Sequence, residues 1–71
     1  MEKKELIKKV LELVSCATSR QISVLAKVRF NEDISAGSVG GILRTMAAAG
    51  QVGGSRNEHN AMVYWLIDEE A

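Results

Sequence analysis

At 71 residues the chain has room for one domain around a single small core. It is 46% hydrophobic and 25% charged and has no proline, the composition of a soluble globular domain with no linker or low-complexity tract. Nine basic residues balance nine acidic ones, which excludes a protein that coats nucleic acid by bulk charge and speaks against adsorption to a membrane surface.

The first segment, residues 2–15, places Ile7, Val10, Leu11 and Val14 at helical spacing, which predicts an amphipathic helix with one buried face. Lys3, Lys4, Lys8 and Lys9 lie mostly elsewhere and read as a solvated face, with phosphate contact by the N-terminal end of the helix as the alternative. Glu5 precedes Lys9 by four, the favourable order for a helical ion pair. Charge interrupts the apolar positions every few residues, so this is neither a signal-peptide core nor a membrane span. The expected location is the cytoplasm. The single cysteine, Cys16, has no partner for an internal disulfide, which fits a reducing compartment. It is expected to lie buried behind the first helix as a small apolar residue.

Thr18 is a good N-cap and Gln21 stands three residues on, so Thr18-x-x-Gln21 reads as a capping box. It opens a second helix over 19–27, whose short apolar face is Ile22, Leu25 and Ala26. Asn31, Glu32 and Asp33 then make a polar turn, anchored by Phe30. Ser35 caps a third helix over about 35–49, with Val39, Ile42, Leu43 and Met46 as its buried face. Gly50 ends it, as glycine does where a helix turns into the left-handed region. The last third changes period. "QVGGS" is a short extended piece, "RNEHNA" a polar turn, and "MVYWLI" a run of β-branched and aromatic residues suited to a strand. Together they read as an antiparallel hairpin over 52–67, with Trp65 partly buried beneath it and an acidic end, "DEEA".

Three helices followed by a hairpin is the order of a winged helix-turn-helix domain, and three stretches carry a resemblance to that superfamily. "ATSRQI" resembles the start of helix two in many small winged-helix proteins. "ISAGSVGGILRTMAAAGQV" resembles the recognition-helix pattern of bacterial winged-helix regulators, with Ser35, Val39, Leu43, Met46, Gly50 and Val52 in its places. "YWLI" resembles the last wing strand, which carries an aromatic and an aliphatic two apart, here Trp65 and Ile67. The resemblance covers nearly the whole chain, and in size it is closest to small pilus-operon regulators and small phage-encoded regulators. The stretch 27–34 departs from it, being longer than the usual three- or four-residue turn.

The resemblance implies a mainly α fold with a small β-hairpin: one winged helix-turn-helix domain over residues 1–71, acting as a transcriptional regulator that binds double-stranded DNA. The outer face of helix three, Gly37, Gly40, Gly41 and Arg44, would enter the major groove. Arg44 would make the bidentate contact to guanine, and Ser35 and Ser38 would reach phosphate. Arg20, in the first turn of helix two, would face the DNA backbone, with Lys27 and Arg29 at or after that helix's end. Arg56 and Asn57 would sit at the wing tip, where an arginine can probe the minor groove. Glu2, Glu12, Asp68, Glu69 and Glu70 collect toward the termini, leaving Arg20, Lys27, Arg29, Arg44 and Arg56 to form a basic face.

The glycines leave three readings open. An interior helical glycine costs roughly 1 kcal/mol relative to alanine. The strip is either neutral surface held helical by packing, or a smooth face for close approach to DNA, or a Gly37-x-x-x-Gly41 face for another helix. In the last case the chain is a protein-interaction module, or a homodimer, with no DNA affinity of its own. Nothing points to an enzyme. One cysteine and one histidine cannot make a four-ligand zinc site, the glycines are not followed by the Lys-Ser/Thr of a phosphate loop, and no metal or cofactor is expected.

Overall fold

A computed structural model describes residues 2–67. In chain order it contains α1 (Lys3–Val14), β1 (Cys16–Thr18), α2 (Ser19–Phe30), α3 (Ala36–Ala48), β2 (Val52–Arg56) and β3 (Met62–Leu66). The strands form one antiparallel sheet in the order β1-β3-β2. The expected helices and hairpin are present. The acidic end, Asp68, Glu69 and Glu70, lies outside the described residues.

The core is built from one face of each helix and the inner face of the sheet. Leu6, Ile7, Val10 and Leu11 of α1 meet Ile22 and Ala26 of α2, and Val39, Leu43 and Met46 of α3. Ala17, Val52 and Tyr64 close it from the sheet side, and Ile34 from the turn between α2 and α3. Ile42, expected in the buried face of α3, packs at its margin and is only partly buried.

Both caps read from the sequence are formed. The Thr18 side chain accepts from the Gln21 N–H at 3.2 Å, and the Gln21 side chain accepts from the Thr18 N–H at 2.9 Å. The Ser35 hydroxyl accepts from the Ser38 N–H at 3.1 Å. At the end of α3, Gly50 has φ 77°, its N–H reaches the Ala47 carbonyl, and the Gln51 N–H reaches the Met46 carbonyl at 2.8 Å. This pair of bonds around a left-handed glycine satisfies carbonyls that the helix would otherwise leave open. The Gln51 carbonyl in turn accepts from the Ile67 N–H at 3.1 Å, which ties the base of the hairpin to the same joint.

Four expectations need correction. Helix α2 runs to Phe30 rather than Lys27, because Asn31 in the left-handed region (φ 55°) is what stops it. The connection to α3 therefore shrinks to residues 31–35, held by the Ser23 hydroxyl donating to the Ile34 carbonyl at 2.6 Å. Cys16 is exposed, not buried. It belongs to a strand the sequence did not reveal, and alternation along that strand sends Ala17 inward and Cys16 outward. Trp65 also faces outward, beside Cys16 in the sheet register, while Tyr64 is the aromatic that enters the core. Its indole lies across Gly53, where a Cβ would come within 2.5 Å of the ring, and it stays 37% exposed. Finally, the one salt bridge among the described residues joins Lys27 and Asp33, so Glu5 and Lys9 do not pair.

Candidate nucleic-acid interface

The outer side of α3 is set by its inner side. With Val39, Leu43 and Met46 fully buried, the opposite face of the helix must meet solvent. Gly37, Gly41 and Arg44 do so, as do Ser35 and Ser38 at the helix start. Gly40 is rotated toward α2 and partly buried, and a Cβ there would sit 3.5 Å from the Ser19 hydroxyl. A Cβ at Gly37 would come no closer than 4.0 Å to the Ser35 hydroxyl, and one at Gly41 would meet nothing within 4 Å. The fold therefore does not demand glycine at any of the three positions.

The Ser19–Gly40 approach brings the start of α2 onto the middle of α3. Arg20, exposed in the first turn of α2, lines a groove with Val14, Ala17, Val24 and Leu25, whereas the outer face of α3 carries Gly37, Gly41 and Arg44. Ser35 and Ser38 belong to the same face but are engaged with each other, the Ser35 hydroxyl donating to Ser38 Oγ at 3.1 Å. Thr45 donates back to the Gly41 carbonyl at 3.2 Å, so its proton is spent within the helix.

The remaining candidates lie apart. Lys27 is inside α2, about 10 Å along the helix from Arg20, and is bound to Asp33 at 3.2 Å with both side chains largely exposed. Arg29 is exposed in the last turn of α2, not beyond its end. Arg56 closes β2, about 13 Å along the strand from Val52. Its Nη1 donates to the Asn60 carbonyl at 3.1 Å and to Asn60 Oδ1 at 3.2 Å, which pins the guanidinium to the turn. Asn57 builds that turn: its Oδ1 accepts from the His59 N–H at 2.8 Å and the Ala61 N–H at 3.0 Å.

Residues 34–57, which include α3 and β2, contain no acidic residue; their only charges are Arg44 and Arg56. The same holds for α2, whose charges are Arg20, Lys27 and Arg29. A protein of zero net charge thus keeps its acids off both helices of the candidate face. Among the described residues no group of three His, Cys, Asp or Glu could hold a metal ion, and no helix is long and apolar enough to cross a membrane. No protein-family model matches the sequence, and no curated protein matches it significantly.

Proposed function

We propose that the chain is a winged helix-turn-helix domain, of bacterial or phage origin, that binds double-stranded DNA and regulates transcription in the cytoplasm. In this reading α3 enters the major groove, Arg20 contacts the backbone beside it, and the β2–β3 hairpin is the wing. The observation that carries the reading is the outer face of α3. It is exposed and free of acids, it ends in Arg44, and it bears glycines for which the chain's own packing gives no reason. A backbone stripped of side chains can lie deep in a groove, where its cost to helix stability is offset by close contact. The element order agrees with it.

The test is a titration with duplex DNA at several salt concentrations. Each phosphate neutralised by Lys or Arg contributes about 0.9 to the slope of log affinity against log salt. With Arg20, Lys27, Arg29, Arg44 and Arg56 as the candidates, the expected slope is about 2–4 per monomer. Arg56→Ala should lower affinity for all sequences alike and reduce the slope by about one. Arg44→Ala should instead weaken discrimination between sequences, since it is the one long side chain on the strip. The zero net charge and the Gly37-x-x-x-Gly41 spacing favour a second reading, a protein-interaction module on the same fold. Duplex DNA that moves no amide signal of α3 or the hairpin at low salt would leave that reading in place.

A further inference from the structure

A second surface lies on the flank of α2 away from α3. Ser19 and Ser23 turn toward α3 and the connection leading to it. On the other flank, α2, β1 and the end of α1 enclose an open groove of about 440 Å³. Val14, Ala17, Val24 and Leu25 supply its apolar lining, and among the described residues Arg20 is its only charged lining residue. The apolar surface continues past the groove along α2, where Val24 is 55% exposed and Val28, one turn on, is 71% exposed. Two valines at i and i+4 on the solvent side of a helix do nothing for the core, which α2 meets through Ile22 and Ala26.

Charge decides what fits. Every charged residue of α2 is a cation: Arg20, Lys27 and Arg29, with no acid among them. A second copy laid on this face would bring two such helices together and set like charges against like. The complement is an apolar surface bordered by carboxylates. We propose that the α1–β1–α2 groove, with its Val24/Val28 extension, docks an acidic amphipathic helix from a partner protein. The partner's apolar side chains fill the groove and cover the valines, and its carboxylates meet Arg20, the cation that lines the groove, since Lys27 is already paired with Asp33. The groove is a different surface from the outer face of α3, which a partner seated there leaves open, but the two readings share Arg20.

The probe is a synthetic helical peptide with leucines at i, i+3, i+4 and i+7 flanked by glutamates, compared with its twin carrying lysines in place of the glutamates. Both are titrated into the full chain without DNA, followed by amide shifts. The expected result is a set of shifts centred on Val14, Ala17, Arg20, Val24 and Leu25, with the acidic peptide binding at least about tenfold more tightly than its twin. Exposed Cys16 at the groove serves as an independent readout, since the acidic peptide should slow its alkylation. Val24→Ser and Val28→Ser, at exposed positions, should retain the fold and any DNA binding while lowering peptide affinity roughly tenfold. The proposal is overturned if neither peptide shifts these residues, or if both bind equally. Concentration-dependent self-association abolished by Val24→Ser would overturn it in favour of a second copy. Shifts of the same residues by anionic lipid vesicles, without any by the acidic peptide, would overturn it in favour of a membrane surface.

Discussion

A methyl group added at Gly41 meets open space, and one added at Gly40 makes an ordinary contact with the Ser19 hydroxyl. Both substitutions by alanine should therefore stabilise α3, by up to about 1 kcal/mol each, read as a rise in melting temperature. Close approach to DNA predicts that the same variants lose affinity while gaining stability. Stability gained with DNA affinity intact would return the strip to neutral surface. Gly53 and Gly50 are different in kind. The first lies under the Trp65 indole and the second sits at φ 77°, so each is fixed by the chain's own geometry. Gly50 was legible as the stop of α3, but sequence alone could not separate Gly53 from the helical glycines, because that depends on what a Cβ would touch. Cys16 was illegible for the same kind of reason. Which way it faces follows from the inward turn of Ala17, and that follows from pairing with Tyr64, distant in the chain.

Helices were read best where a buried face repeats. In α3 the spacing of Val39, Leu43 and Met46, the Ser35 cap and the Gly50 stop all agree, and all are present. Leu43 is fully buried at the centre of that face. Leu43→Ala should cost about 2–5 kcal/mol, a large part of the stability of a domain this small. A thermal melt checks it, and an unchanged midpoint would mean that the helix packs by another face. The apolar face of α2 ends before the helix does: Val28 and Arg29 face solvent, although the backbone stays helical to Phe30. β1 has only three residues, too few for a period to show, and its last residue, Thr18, is also the cap of α2. Of the candidate interface, the outer face of α3 could be read from periodicity. The pinning of Arg56 by Asn60 and the turn-building role of Asn57 could not, since both depend on how the loop closes.

At the scale of the molecule, α3 and the hairpin meet at Gln51. Its N–H is held by Met46 of the helix and its carbonyl holds the N–H of Ile67 beyond β3. The first bond crosses from helix to hairpin and the second extends the β2–β3 ladder by one pair, so a rigid joint predicts that the amides of Gln51 and Ile67 exchange with solvent as slowly as those of the core helices. Hydrogen exchange followed by NMR measures this, and fast exchange at either amide would show a working hinge. A joint that slow exchange showed to be rigid would make the helix and the hairpin a caliper of fixed opening. Under the DNA reading, a duplex that touches both must already have the matching groove spacing or be bent to it, and the energy of bending falls on the nucleic acid. Stiff and pliable duplexes presenting the same bases to α3 would then bind with different strength, which gives the domain a preference at base pairs it never contacts.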